Sequence, residues 1–422
     1  MIVLFKILQV ILALSLLIIV HEAGHFLFAK LFHIRVEKFY LFFDVGGKAL
    51  LKFKKGETEF GIGWLPFGGY CKISGMIDES MDLESMKKEP QEWEFRCHPA
   101  WQRLLVMAGG VLFNFIFAIL AFSIISGIWG SAYIPNRQAQ IYPNELARDM
   151  GFRSGDHIIS IDDYEPSDFS SLQADLIRRE GHKVQVLRGT DTVNVYMDQA
   201  RTAEILNSPM MFDLALPFIV DSVSAPENAK ELARGDRILS IDGQSTEFFQ
   251  DAQPVLKACA GSTAEAQILR DGQVVTVPIQ VDSAGRIGIY LKAPNVERRH
   301  YNALESVGQG VKRTGSTITG YVQDLKLVAK PSTGAYKSVG SFIAIGQVFP
   351  SKWDWFQFLN IIALLSIMLG VMNLIPIPGL DGGHILFTLY EMVSGRKPSE
   401  KFLMVMQIIG MFLLFMLMFL AF

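Results

Sequence analysis

Two histidines and a glutamate near the amino terminus have the spacing of a zinc site. Residues 21–25 read His21-Glu22-Ala23-Gly24-His25. On a helix, side chains four residues apart point to the same face, so both imidazoles can hold one metal ion. Glu22 can reach a water molecule bound between them and act as its base. The alternative for this pattern alone is a polar turn at a helix end, but the apolar flanks leave no surface for it.

A second group of polar residues follows a break near the other end of the sequence. Residues 373–384 read Asn-Leu-Ile-Pro-Ile-Pro-Gly-Leu-Asp-Gly-Gly-His. Pro376 and Pro378 cannot both lie inside a regular helix. Irregular backbone at membrane depth needs cover from protein or a water-filled cavity. The carboxylate of Asp381 needs a partner there, and a metal ion is the best one available. A helix N-cap is the alternative role, and the two roles can coexist.

Four apolar segments are long enough to place these residues inside a membrane. They cover about 2–28, 104–129, 356–375 and 402–422. The first carries the two histidines and lacks both a basic leader and a cleavage site, so we interpret it as a retained span rather than a signal peptide. Lysines and arginines gather between the first two spans and before the last. The positive-inside rule therefore predicts cytoplasmic links, with both termini and the insert 130–355 outside.

Composition excludes several other classes of protein. Half of the 422 residues are hydrophobic, which fits a membrane protein with a soluble insert. The net charge of −3 is too small to indicate a nucleic-acid partner. Cys71, Cys97 and Cys259 have neither a disulfide pattern nor a metal spacing.

A β-hairpin is predicted between the first two spans. Two β-prone segments, 50–54 and 58–64, flank the turn signal Lys55-Gly56, and Pro66 and Gly68-Gly69 should end the hairpin. Gly61 and Gly63 leave one face of the second strand bare around Ile62. A bare strand lets another backbone approach and pair with it. Glycines at a bulge are the alternative.

The second span contains Gly109-Gly110 and Asn114. Glycines in a span usually indicate close helix packing. Asn114 is a polar side chain at depth, and the residues favour an interhelical hydrogen bond over a direct chemical role.

The insert contains an internal repeat. Residues 155–162 read Gly-Asp-His-Ile-Ile-Ser-Ile-Asp, and residues 235–242 read Gly-Asp-Arg-Ile-Leu-Ser-Ile-Asp. Each copy is predicted to contain short strands and one helix, at 168–179 and 247–259. Further on, 301–328 has the pattern of an amphipathic helix that lies on the outer leaflet or against the spans. Residues 339–349 are too few to span and are predicted to be re-entrant.

The two motifs together resemble the site-2 protease family of intramembrane zinc metalloproteases, in particular its bacterial RseP type. That family pairs HExxH in the first span with N-x-x-P-x-P-x-L-D-G in a later span, and every fixed position is filled here. The repeat resembles tandem PDZ domains, and the hairpin resembles a membrane-reentrant β-loop thought to clamp substrate. Phe113-Asn114-Phe115 resembles a second-span element. Gly340-Ser341-Phe342 departs from the Gly-Pro of many relatives.

The resemblance implies a fold class and a domain plan. The fold is an α-helical membrane protein with four transmembrane helices and a membrane-reentrant β-hairpin, plus two tandem β-rich PDZ domains on the outer side. The expected domains are 1–129 for the first two spans with the hairpin, 130–210 and 211–295 for the PDZ domains, 296–355 for the amphipathic helix and connection, and 356–422 for the last two spans.

The resemblance also implies roles at the site. His21, His25 and Asp381 would hold one Zn²⁺ per chain, Glu22 would be the base, and Asn373 would stabilise the developing oxyanion. The expected substrate-binding residues are Gly61, Ile62, Gly63, Asn114, Pro376 and Pro378. His384 is either a contact supporting the metal ligands or a packing residue. Neither copy of the repeat has a clear carboxylate-binding loop, so peptide binding by the repeats stays open.

The expected activity is hydrolysis within the transmembrane segment of single-span proteins in the bacterial inner membrane. Anti-sigma factors and remnant signal peptides are the implied substrates, after an earlier cut removes their outer domain. The lipid bilayer is the expected surrounding, with the termini and PDZ domains periplasmic and the active site toward the cytoplasm. A metal transporter and a non-catalytic membrane-anchored PDZ scaffold are the two alternatives.

Overall fold

The computed structural model describes residues 2–76, 89–208, 210–330 and 346–420. The chain forms two compact units. The helical unit contains Met1–Gly130, His300–Lys326 and Val339–Phe422, and the inserted unit contains Ser131–Arg299 and Leu327–Ser338. Residues 77–88 lie outside the described residues, as do 339–345 of the predicted re-entrant stretch.

The helical unit begins with a long helix and a four-stranded sheet. In chain order its elements are α1 (Ile2–Leu31), β1 (Val36–Phe43), β2 (Ala49–Lys55), β3 (Thr58–Gly63), β4 (Leu65–Ile73) and α2 (Ala100–Trp129). The strand order is β2-β3-β1-β4. β1 pairs with β3 in parallel, and the other two pairings are antiparallel. The predicted hairpin is therefore present as β2 and β3, but it is half of a larger sheet.

Two predictions about this segment are wrong. Pro66 and Gly68-Gly69 do not end the structure, because they lie inside β4. Gly61, Ile62 and Gly63 do not form a free strand either, because β3 pairs with β2 on one edge and β1 on the other. The two glycines are needed for packing within the sheet. A Cβ on Gly61 would lie 2.4 Å from the Tyr40 ring, and one on Gly63 would lie 2.3 Å from the Phe43 backbone.

The inserted unit contains the two copies of the repeat. The elements up to the end of the first copy are β5 (Ser131–Tyr133), β6 (Ile141–Pro143), α3 (Glu145–Asp149), β7 (His157–Ile161), α4 (Leu172–Arg178), β8 (Lys183–Arg188), β9 (Asp191–Tyr196), α5 (Thr202–Asn207) and β10 (Phe212–Leu214). β7, β8 and β9 form an antiparallel sheet. β10 pairs with β6, and Met211 and Phe212 belong to the first core, so the first copy ends after Leu214 rather than at 210.

The second copy repeats this plan. Its elements are β11 (Val220–Val223), β12 (Arg237–Ile241), β13 (Gln244–Ser245), α6 (Phe249–Ala258), β14 (Thr263–Arg270), β15 (Gln273–Gln280) and β16 (Ile289–Leu291), and β17 (Glu297–Arg299) follows. Each copy has its own buried core, and α4 and α6 lie within the two predicted helical segments. β17 pairs with β5, so the chain enters and leaves the inserted unit at neighbouring strands.

The remaining helices complete the helical unit. They are α7 (Ala303–Val328), α8 (Trp355–Leu374), α9 (Asp381–Ser394) and α10 (Glu400–Leu420). The amphipathic α7 lies against α2: a Cβ on Gly310 would be 2.6 Å from the Ile119 carbonyl oxygen, and the Arg313 guanidinium lies 4.4 Å from the Phe122 ring centroid. Among the described residues, three helices are long and apolar enough to cross a membrane: Val3–Leu31, Ala100–Trp129 and Trp355–Leu374.

Candidate metal centre and active site

Three side chains from the two sequence motifs meet inside the helical unit. The Nε2 atoms of His21 and His25 lie 3.2 Å apart. Asp381 Oδ2 lies 3.2 Å from the first and 3.4 Å from the second. All three potential ligand atoms lie within 4.8 Å of one another. The predicted ligands, distant in sequence, are thus brought to one point.

The histidines are accommodated by a close crossing of α1 and α2. A Cβ on Gly24 would lie 2.2 Å from the Gly109 carbonyl oxygen, so the two backbones touch there. A Cβ on Gly110 would lie 2.4 Å from His25 Nε2 and 2.6 Å from His21 Cε1. Glycine at these positions lets membrane helices approach closely. The glycine pair of the second span therefore makes room for the imidazoles.

Asp381 is delivered by the break between α8 and α9. α8 ends at Leu374, and residues 375–380 are irregular, in agreement with the two prolines. Gly382 packs so tightly against this turn that a Cβ would lie 2.2 Å from the Ile375 carbonyl oxygen. Asp381 is the first residue of α9, and Leu380 holds the cap position. The N-cap alternative for Asp381 is therefore wrong, and its carboxylate faces the histidines instead.

The donor set fits a zinc ion. Asp381 Oδ2 is buried and receives no well-aligned hydrogen bond from any described residue. A buried carboxylate oxygen without a donor is unfavourable unless a cation neutralises it. Two imidazole nitrogens and one carboxylate oxygen form a three-ligand set with a fourth position for water, as in catalytic zinc sites. Within the described parts of the chain, no other group of three such residues converges in this way.

A cavity of about 570 Å³ opens beside the three ligands. Glu22 lines it together with the ligands, so a carboxylate is available at the same place as the metal donors. The Glu22 carboxyl group also interacts with the backbone amide of Cys71 on β4. The cavity is therefore bounded on one side by the helices and on another by the sheet.

Asn373 and His384 also line the cavity. Asn373 Nδ2 lies 3.2 Å from His21 Nε2, so its carboxamide is beside a ligand atom. His384 is near the side chain of Gln407 on α10. Their placement keeps open an oxyanion role for the first and a supporting role for the second.

The sheet adds a polar group that the sequence did not indicate. Asp44 accepts hydrogen bonds from Lys38 Nζ at 2.7 Å and Tyr70 Oη at 2.6 Å, and all three residues line the cavity. Burial raises the pKa of Asp44, but hydrogen bonds, chiefly those from Lys38 and Tyr70, and the charge of Lys38 together lower it by more than burial raises it. The net pKa therefore lies below its usual range. This carboxylate stays ionised at neutral pH.

The predicted substrate-binding residues do not line this cavity. Gly61, Ile62 and Gly63 are inside the sheet, and Pro376 and Pro378 are not part of the wall. Asn114 is fully buried, so it is not positioned to touch a substrate. Its Nδ2 lies 3.0 Å from His21 Nδ1, which is an interhelical hydrogen bond as the residues favoured.

β4 contributes six residues to the cavity wall. Gly68, Gly69, Tyr70, Cys71, Lys72 and Ile73 all line the cavity. The only local signal for them was the glycine pair, which is needed because a Cβ on Gly69 would lie 2.5 Å from Ile18 Cγ2 on α1.

Comparison with known proteins gives one family. The model of peptidase family M50 matches residues 9–417. A protein of Vibrio cholerae whose name describes a zinc metalloprotease is 28% identical, over 94% of this chain and 93% of its own. Protease RseP of Yersinia pestis is 29% identical over 97% and 96%. The regulator of sigma E protease of Haemophilus influenzae is 28% identical over 93% and 91%.

Proposed function

Because this chain belongs to peptidase family M50 and is a metalloprotease, we propose that it hydrolyses a peptide bond within the membrane-spanning segment of a single-span protein. The observation that carries the proposal is the meeting of His21, His25 and Asp381 beside Glu22 in one cavity of a unit with three membrane-length helices. A scissile bond must reach this cavity from the membrane, since the first two ligands lie in the first span.

Each residue then has a distinct task. One zinc ion per chain, held by His21, His25 and Asp381, would supply a Lewis acid and an activated water. Glu22 would accept a proton from the attacking water and later donate it to the leaving amine. The Asn373 carboxamide donates a hydrogen bond to the carbonyl oxygen as its negative charge develops.

The strand-pairing surface is β4 rather than β3. β4 is an edge strand, and its residues line the cavity. The Cys71 amide interacts with Glu22, so this edge of β4 faces the base rather than β1. A helical substrate hides its carbonyl groups in its own hydrogen bonds. Pairing with β4 offers replacement bonds for an extended segment, which exposes one carbonyl to attack.

Substrate class and orientation follow from the relatives and from charge. The relative from Haemophilus influenzae is named a regulator of sigma E protease, which supports a membrane-bound anti-sigma factor as substrate, with remnant signal peptides as a second class. The basic links support cytoplasmic placement of the active-site side in a bacterial inner membrane. The inserted unit, read as two PDZ domains outside, would exclude substrates whose outer domain has not been removed.

Cleavage and metal content, measured together, test the proposal. A detergent-solubilised single-span substrate is incubated with the wild type and with Glu22→Gln, the products are resolved on a gel, and zinc is counted in both proteins. We expect zinc in both proteins and cleavage only by the wild type, with a loss of at least about a hundredfold. Cleavage by both would refute the role of Glu22. Zinc bound by both proteins without cleavage by either would favour the scaffold alternative. Zinc transport by the wild type reconstituted in vesicles would favour the transporter alternative.

A proline scan of the substrate tests strand pairing. Proline is placed at successive positions around the scissile bond, one at a time. An added strand forms hydrogen bonds with its neighbour through every second residue. The rate of cleavage should therefore decrease when proline is placed at every second position. Proline at the intervening positions is the matched control, since it perturbs the substrate helix equally. Uniform effects along the scan would contradict pairing with β4.

A further inference from the structure

One face of α2 contacts the Nδ1 side of both histidines, away from Asp381. Val106, Gly110 and Asn114 are spaced four residues apart and so share a helix face. His25 Nδ1 lies 2.8 Å from the Val106 carbonyl oxygen, and His21 Nδ1 lies 3.0 Å from the Asn114 carboxamide. Gly110 leaves the space between them. Both Nδ1 atoms therefore have partners on α2, and both Nε2 atoms face Asp381.

The two contacts are chemically different. A carbonyl oxygen only accepts, so His25 must donate from Nδ1, and its Nε2 then carries a free lone pair. At His21 the contacting atom is the carboxamide nitrogen of Asn114, which only donates. Nδ1 of His21 would then accept, and its proton would be on Nε2. Yet Nε2 lies 3.2 Å from another donor, the Asn373 Nδ2 atom.

The unused atom of Asn114 resolves this conflict. Asn114 is fully buried, and its Oδ1 has no hydrogen-bond partner among the described residues. A half-turn of the carboxamide exchanges the oxygen and the nitrogen. Oδ1 then accepts from His21 Nδ1–H, and the Nε2 lone pair of His21 is free. The buried oxygen is satisfied, and both imidazoles have the same tautomer.

We propose that Asn114 is a positioning residue for the metal centre: its carboxamide oxygen accepts the Nδ1 proton of His21 and holds that imidazole with its Nε2 lone pair toward Asp381. Asn114 acts through His21 and touches neither substrate nor metal. The inference rests on the proposed zinc site and deepens it. Hydrogen-bond partners of this kind typically contribute about 10–100-fold to metal affinity.

Three substitutions distinguish the effect of the hydrogen-bond acceptor of Asn114 from the effect of its side-chain volume. Asn114→Leu keeps the approximate shape and removes the acceptor. Asn114→Asp keeps an acceptor, since carboxylates commonly orient zinc-bound histidines. Asn114→Ala removes the acceptor without adding apolar bulk. Ser366→Ala is the matched control, because Ser366 Oγ donates to the Asn114 backbone carbonyl at 2.8 Å and so lies at the same depth without contacting His21.

The full-length proteins are compared in detergent by two measurements. Zinc affinity is determined by competition with a chelator, and the visible absorption of the Co²⁺-loaded protein reports the ligand geometry. The melting temperature of each metal-free protein checks folding. We expect Asn114→Leu and Asn114→Ala to bind zinc about 10–100-fold more weakly. Asn114→Asp and Ser366→Ala should keep the wild-type Co²⁺ spectrum, and the metal-free melting temperatures should match.

The outcomes distinguish this inference from the proposed site. Wild-type protein that binds no zinc would refute the metal site itself. Zinc bound equally by wild type, Asn114→Leu and Asn114→Ala would overturn only the role of Asn114. Equal weakening in Asn114→Asp and Asn114→Leu would also overturn it, because bulk rather than an acceptor would then matter. If Asn114→Leu does not fold, the comparison of Asn114→Asp with Asn114→Ala decides.

Discussion

Gly110 determines whether two imidazoles fit beside α2. The methyl group of an alanine at this position would lie 2.4 Å from His25 Nε2. Its other nearest neighbours would be ring atoms of His21. Neither ring can retreat, because each is held at Nδ1. We expect Gly110→Ala to weaken zinc binding by about tenfold or more. Chelator competition in detergent measures it.

Gly315→Ala is the matched control for that substitution. Gly315 is also helical, but a Cβ there would meet no atom within 4 Å. Its zinc affinity should equal that of the wild type, and alanine should if anything favour the helix. Wild-type zinc affinity in Gly110→Ala would show that the crossing of α1 and α2 is loose, contrary to the structure.

Residue types at fixed spacing were the most informative part of the sequence. The histidine pair and Asp381 were predicted because their chemistry depends on side-chain identity and on local helix geometry, both of which a sequence records. The contact of His25 with the Val106 carbonyl was not predictable, since every residue has that group. The residues alone favoured an interhelical hydrogen bond for Asn114, and the substrate role came from the resemblance, but neither indicated that the partner is His21.

The sheet shows where prediction at the scale of elements fails. The β2–β3 hairpin was predicted because its turn signal is local. The parallel pairing of β1 with β3 was not, because β2 lies between them in the chain and nothing local marks the partner. Pro66 was interpreted as a terminator, but an edge strand such as β4 tolerates proline, since one of its sides needs no ladder hydrogen bonds. For this reason the sequence indicated β3, whereas β4 is the strand that we propose for pairing with substrate.

An ion pair between a buried aspartate and a partly exposed arginine recurs in both copies of the repeat. Asp156 pairs with Arg188 at 2.8 Å, and Asp236 pairs with Arg270 at 2.6 Å. Burial raises the pKa of Asp236, but hydrogen bonds, chiefly those from Arg270, and the charge of Arg270 together lower it by more than burial raises it. The folded-state pKa therefore lies below the usual value of about 3.9. The pair therefore stabilises the folded state above that pH. This contribution is lost as the pH falls through the folded-state pKa.

We expect Asp236→Asn to destabilise the inserted unit by about 2 kcal/mol at neutral pH, and by less as the pH falls below about 4. Calorimetry of the full chain measures the shift. All six tryptophans, at 64, 93, 101, 129, 353 and 355, belong to the helical unit, so their fluorescence transition should not move. Asp221→Asn is the control, because its partner Arg234 is 81% exposed and such pairs contribute little. Equal effects of both substitutions would contradict the prediction.

The whole molecule is organised as one unit inserted into another. β5 and β17 pair residue by residue, with Tyr133 opposite Glu297, so the ends of the inserted unit are adjacent. A short turn can therefore replace residues 134–296. If the inserted unit filters substrates, the shortened protein should cleave single-span substrates that still carry a large outer domain, which the full chain should reject. Gel-resolved cleavage of both substrate forms measures this.

Two controls accompany that deletion. The shortened protein must still cleave a substrate without an outer domain, which shows that the helical unit has folded. The same deletion combined with Glu22→Gln should cleave neither form. Continued rejection of bulky substrates by an otherwise active shortened protein would contradict the filter.

The distance in sequence between the two motifs has a consequence for biosynthesis. His21 and His25 leave the ribosome early, whereas Asp381 follows almost the whole of the remaining chain. A nascent chain that lacks α9 has two imidazoles and no carboxylate, so it holds an incomplete ligand set. If these three residues are the zinc ligands, hydrolytic activity cannot arise while the inserted unit is still being synthesised.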